Sequence, residues 1–122
     1  MPYIEILAPP VSLDGKASLA KSVTDGLMSA FGISAETITL FFLPVAPGDY
    51  AHAGAVGTQG LGQRILLKVH AFRRSEAQRR AAAAALTQGV CAAYGVPGRD
   101  VAVYFLDRHK DEVAHDSKLA SD

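Results

Sequence analysis

The chain opens Met1-Pro2-Tyr3-Ile4-Glu5-Ile6. Removal of Met1, usual before a residue as small as proline, leaves Pro2 as a secondary amine at the chain end. An α-amino group titrates near about pH 8, and an apolar pocket lowers that further by disfavouring the cation. Such an amine is neutral at physiological pH and takes a proton as a general base. Retention of Met1 would instead make the nitrogen a tertiary amide without basicity. Arg73 and Arg74 stand where an apolar run ends and an Ala-rich one begins. Guanidinium groups beside free helix N–H groups suit a carboxylate-bearing ligand; a solvated turn is the plainer alternative, and at most one of the two is expected to point inward. Tyr104 shares a strand face with Ala102. A phenol there can donate to a developing oxyanion, or it is an ordinary half-buried strand tyrosine.

The remaining chemistry-bearing residues are scattered. His52, His70, His109 and His115 include no pair at helical spacing with a carboxylate partner, so no metal site is expected. His70 reads as a strand side chain, and His109 and His115 as solvated residues of a polar tail. The one cysteine, Cys91, excludes an intrachain disulfide and reads as a small core residue. Gly54, Gly57, Gly60 and Gly62 do not stand between a strand and a helix at the spacing of a nucleotide loop. No cofactor is expected. Twelve basic and twelve acidic side chains cancel, which removes the field that would recruit nucleic acid or an anionic membrane. No apolar run approaches the length of a bilayer span, and the expectation is a cytoplasmic domain.

These residues must be positioned by a repeated scaffold. Shifted by about 63 positions, the two halves of the chain align without a gap over more than forty residues. Ala30-Phe31-Gly32-Ile33 falls on Ala93-Tyr94-Gly95-Val96, and Ile38-Thr39-Leu40-Phe41-Phe42-Leu43 on Val101-Ala102-Val103-Tyr104-Phe105-Leu106. Each unit reads strand, helix, strand. Strands are predicted at 3–8, 37–43, 64–72 and 100–106. Ser75 and Gln78 form a capping-box pattern, and a helix runs from there to about Tyr94, with Leu86, Val90 and Ala93 on one stripe and Gly95 as its stop. The first helix begins near Ser12 or Asp14 and stops at Gly32. The fold class is α+β: one domain over 1–122, made of two β-α-β repeats at about 2–44 and 64–107 that form a four-stranded sheet with both helices on one face. The connecting segment 44–63 is a linker, a functional loop or a short hairpin. Segment 107–122 is a tail or an arm that wraps a neighbouring subunit. The uncovered sheet face is expected to carry Tyr104, Phe42 and other apolar side chains, and to be buried in a closed homo-oligomer.

An N-terminal Pro2 on a duplicated strand–helix–strand chain, with arginines after the third strand, resembles the tautomerase superfamily. The opening Met-Pro-Tyr-Ile-Glu-Ile is similar to the oxalocrotonate tautomerase-like group. Thr58-Gln59-Gly60-Leu61-Gly62 and Phe72-Arg73-Arg74-Ser75-Glu76-Ala77-Gln78 look most like malonate semialdehyde decarboxylase. The strand around Tyr104 is similar to the segment of cis-3-chloroacrylic acid dehalogenase that carries an active-site tyrosine. The resemblance implies a homotrimer with Pro2 as base, or as acid where a cationic proline is needed. It implies Arg73 and Arg74 as holders of a substrate carboxylate and Tyr104 as the group that orients a water or an enolate oxygen.

The departures are specific. The dehalogenase's helix histidine meets Asp25-Gly26-Leu27-Met28 here, and its C-terminal glutamate meets His115, with Glu112 near. The decarboxylase's aspartate meets Thr37, with Glu36 beside it, and its two arginines are spaced where Arg73 and Arg74 are adjacent. Glu36 and His115 are therefore the possible acid–base partners of Pro2. The expected function is a tautomerase or isomerase acting on a small 2-keto or 2-hydroxy-dienoate acid. One alternative is a decarboxylase or hydratase of a three-carbon acid, and another is a cytokine-like trimeric binding protein with incidental tautomerase activity.

Overall fold

The computed structural model describes residues 2–122; Met1, and with it the question of its removal, lies outside the described residues. The elements in order are β1 (Tyr3–Ala8), α1 (Leu13–Phe31), β2 (Thr39–Pro44), β3 (Ala51–His52), β4 (Ala55–Val56), β5 (Ile65–Phe72), α2 (Glu76–Tyr94), β6 (Val101–Arg108), β7 (Ala114–His115) and β8 (Lys118–Leu119). The main sheet has the order β2-β1-β5-β6. β1 pairs parallel with β2, β5 pairs parallel with β6, and β1 and β5 join the two halves antiparallel, with Tyr3 opposite His70 and Ile6 opposite Leu67. The fold is α+β.

Both helices start and stop as their end residues dictate. The Ser12 hydroxyl accepts from the Gly15 N–H, and Ser75 with Gln78 forms a full capping box. Gly32 and Gly95 close the helices in the left-handed conformation, at φ 66° and 67°. Leu19, Val23 and Leu27 of α1 and Ala82, Leu86 and Val90 of α2 recur every four residues and are wholly buried. They cover Ile4, Ile6, Ala8, Ile65, Leu67, Val69 and Ala71, the alternate residues of β1 and β5. Ala93, placed on the stripe from the sequence, is only partly buried against this core.

The strand ends are shifted from their sequence-based bounds. Residues 35–37 and 98–100 are short 3-10 turns, so β2 and β6 begin at Thr39 and Val101. Phe42 is a correction. It packs with Leu40 toward the helices, and Phe41 is the phenylalanine on the open face, 51% exposed. β2 alternates, so its neighbours cannot both face one way. Cys91 is half-buried rather than a core residue.

The repeat is longer in space than in the sequence pattern. α1 and α2 begin at 13 and 76 and end at 31 and 94, an offset of 63 at each end. The same offset relates the 3-10 turn Pro47–Asp49 to Lys110–Glu112, and hairpin β3–β4 to hairpin β7–β8. Both hairpins turn on two residues of positive φ, Ala53-Gly54 and Asp116-Ser117, the requirement of a tight two-residue connection. The connecting segment and the tail are thus the closing parts of the two units.

The helices meet through the repeat as well. A Cβ built on Gly26 would stand 2.8 Å from Ala85 Cβ, and one on Gly89, 63 residues on, would stand 2.6 Å from Ser22 Oγ. Gly26→Ala is expected to destabilise the protein by about 1–2 kcal/mol, because overpacking outweighs alanine's better helix propensity. Adding Ala85→Gly should recover most of that loss in denaturant unfolding; no recovery would mean that the contact is not limiting.

Candidate functional site

Pro2 immediately precedes β1, and its side chain is completely buried. On one side the Thr39 N–H donates to its carbonyl at 3.3 Å. Continuing the antiparallel register one residue past Tyr3 and His70 places Ala71 on its other side. Two clefts flank this end of the sheet. The larger, of about 510 Å3, is lined by Glu36, Thr37, Thr39, Phe72, His115 and Lys118, among others. The smaller, of about 230 Å3, is lined by Tyr3, His70, Phe72, Arg108 and Glu112, among others. Phe72 and Val113 belong to both.

Glu36 and His115, far apart in sequence, come together in the larger cleft. The 3-10 turn before β2 delivers Glu36, and hairpin β7–β8 delivers His115. His115 is therefore not a free residue of a tail, although it remains exposed.

The two arginines leave the end of β5 in different directions. Arg73 is exposed, and its guanidinium donates to Asp107 at 2.5 Å. Arg79 also approaches Asp107, at 3.9 Å. Arg74 turns inward over the Phe31 ring, 4.8 Å from its centroid, and donates to the Phe72 carbonyl at 2.9 Å. That is a cation–π contact, a setting that suits a planar guanidinium. Its remaining N–H groups have no partner among the described residues.

Tyr104 is not brought to this site within one chain. It lies opposite Lys68 on the sheet face away from the helices, 62% exposed. Pro2 continues the alternation of Ile4 and Ile6 and so falls on the helix side.

Sequence reasoning missed a second polar cluster. His70 Nε2 lies 2.6 Å from the Glu5 carboxylate, and the Arg108 guanidinium donates to Nδ1 at 3.1 Å. Arginine can only donate, so Nδ1 is the acceptor and Nε2 carries the proton given to Glu5. Tyr3 stacks on the imidazole at 4.4 Å between ring centres, and Phe41 meets Tyr3 edge-on. The cluster orients Arg108 at the wall of the smaller cleft. Only the sign of the β1–β5 pairing reveals it, because Glu5 and His70 are 65 residues apart. The residues 51–52 and 114–115, Ala-His in both places at the repeat offset, were the available signal for the hairpins.

Among the described residues no three His, Cys, Asp or Glu side chains converge as metal ligands, and no helix is long and apolar enough to cross a membrane.

No protein-family model and no curated relative matches the sequence. Solved structures do match. A fused 4-OT, determined as a symmetric trimer, superposes with a TM-score of 0.87 at 23% identity, over 98% of this chain and 96% of that one. Pt0534, determined after inactivation by 2-oxo-3-pentynoate, gives 0.87 at 24% identity, over 98% and 97%. Malonate semialdehyde decarboxylase gives 0.76 at 20% identity, over 98% and 94%. The chain carries the tautomerase-superfamily fold. At these identities the likeness is one of fold.

His70→Ala removes the partner of a half-buried carboxylate and frees Arg108. Unfolding free energy is expected to fall by about 1–3 kcal/mol, the cost of leaving such groups unpaired. Denaturant unfolding checks this; a loss below half a kcal/mol, about the level of an ordinary surface change, would mean the cluster is solvated rather than structural.

Proposed function

We propose that this protein is a proline-dependent tautomerase or isomerase acting on a small 2-keto or 2-hydroxy-dienoate acid. The observation that carries the reading is the place of the buried Pro2 just before β1, where its carbonyl accepts from Thr39, a residue that lines the cleft holding Glu36 and His115. Freed of Met1, an amine in that setting stays neutral because burial disfavours its cation. A neutral amine at that position takes a proton from the carbon next to the substrate carbonyl and returns it to another carbon. Arg74 rests on the Phe31 ring and lines neither cleft beside Pro2, so in this reading it swings off that ring to bring its unpartnered N–H groups to the substrate carboxylate. Arg73 joins it by leaving Asp107, since an exposed pair of that kind is worth about 1 kcal/mol or less.

Tyr104 serves the site of a neighbouring copy. Phe41, Leu43 and Tyr104 are 51%, 40% and 62% exposed on the open sheet face, an apolar surface that asks for a partner. Fused 4-OT structures of this fold are trimers, which supports a homotrimer packed through the sheets.

A decarboxylase or hydratase of a three-carbon acid is favoured by one observation, the placement of Glu36 in the same cleft as His115. A carboxylate and an imidazole there would activate a water. Release of carbon dioxide from malonate semialdehyde separates this reading from the first.

The intact mass of the protein from its native host comes first and should be short by one methionine. Turnover of a 2-hydroxy-dienoate by the processed protein should then fall by about hundredfold or more in Pro2→Ala, the scale of a lost general base; equal turnover would remove Pro2 from the chemistry. Sedimentation should give a trimer for the wild type and smaller species for Phe41→Asp. A monomeric wild type would overturn the sheet-packing account.

A further inference from the structure

The repeat that builds the cleft beside Pro2 builds another at the opposite end of the sheet. Hairpin β3–β4 and the turn at 98–100 stand there as hairpin β7–β8 and the turn at 35–37 stand at the first. At the same 63-residue offset, His52 answers to His115, Arg99 to Glu36, and the Arg64-Ile65 peptide to Met1-Pro2. This second cleft has a volume of about 320 Å3.

Its chemistry differs from the first in two respects. The chain runs on through Arg64-Ile65, so the nitrogen that answers to Pro2 is an ordinary amide and takes no proton. The charges are also rearranged. Glu36 stands with Lys118 in the first cleft, whereas Arg64 and Arg99 share the second with Asp100 alone. Among the described residues, neither Arg64 nor Arg99 comes within ion-pair distance of a carboxylate. Tyr50 accepts the Arg64 backbone N–H at 3.1 Å, which leaves its own phenolic proton to donate.

We propose that this second cleft binds a small organic carboxylate without turning it over. Arg64, Arg99 and the Tyr50 O–H supply donors, and charge-assisted bonds to a carboxylate are the strong ones. Leu61, Ala53 and Ala55 line the same space and offer apolar wall to a short carbon chain. The volume is at the small end of ligand sites and suits an acid of about three to six carbons. The proposal stands whether or not Pro2 is a catalytic residue.

Butyrate is a suitable probe, because it has no keto or enol group for a base to work on. In an NMR titration of the full chain, amides of residues 57–64 and 99–100 are expected to shift saturably. In the double variant Arg64→Gln with Arg99→Gln, the affinity read from those amides should weaken about tenfold or more, as expected for lost charged hydrogen bonds. Both arginines are exposed, and unshifted core amides at Leu19 and Leu86 would report that the variant is folded. Absence of saturable shifts in those segments would overturn the proposal, as would an unchanged affinity in the folded variant. Inorganic phosphate bound at the same place with equal affinity would overturn the carboxylate class. Loss of turnover in Pro2→Ala, or its absence, moves none of these readouts.

Discussion

Antiparallel pairing of β1 with β5 is the interaction on which the molecule depends. Each unit alone is two parallel strands and one helix, too little to bury a stable core. Joined along β1 and β5, the units bring Ile4, Ile6, Leu67 and Val69 together under two helices. The direction of the pairing also decides where chemistry can sit. Because the strands run opposite ways, the start of one unit and the start of the other lie at opposite ends of the sheet. Pro2 therefore meets Thr39 and the end of β5, while Arg64 lies at the far end with Arg99.

The near-symmetry imposes a further constraint where α1 and α2 touch. Gly26 lies against Ala85 and Gly89 against Ser22, a small residue facing a small residue on each side of the contact. The two helices lie side by side over the sheet, and at their C-terminal ends each reaches the other unit's strands, Phe31 near Val69 and Phe105, and Tyr94 near Ile6 and Phe42. The sheet then has one dry face and one open face, and the open face holds two kinds of surface. Its edge strands carry Phe41 and Tyr104, which suit a second copy, with Glu5 and Lys68 between them. Toward the Pro2 end, Tyr3, Glu5, His70 and Arg108 form a satisfied polar cluster.

Duplication thus supplies two clefts of one plan and divides their tasks by a few residues. The Ile65 nitrogen is an internal amide, so the acid–base work proposed above falls to the end that holds Pro2, Glu36 and His115. The other end keeps the histidine position and exchanges the glutamate for an arginine, which favours holding an anion over moving a proton.

Much of this was legible in the chain itself. Apolar spacing of four along both helices, Ser12 and Ser75 as caps, Gly32 and Gly95 as stops, and the 63-residue echo determined the elements and their duplication, because each depends on contacts within a few turns of chain. Pro2, Arg73 and Arg74 stood out for the same reason: their chemistry is a property of type and place in the chain. What the sequence could not decide is everything set by strand direction and side. Phe41 rather than Phe42 faces outward, Glu5 reaches His70, Arg74 turns in while Arg73 pairs with Asp107, and His115 lines the same cleft as Glu36. Those partners are brought together by pairing register and by two hairpins whose turns have only weak local signals, so tertiary structure alone determines which side chains share a site.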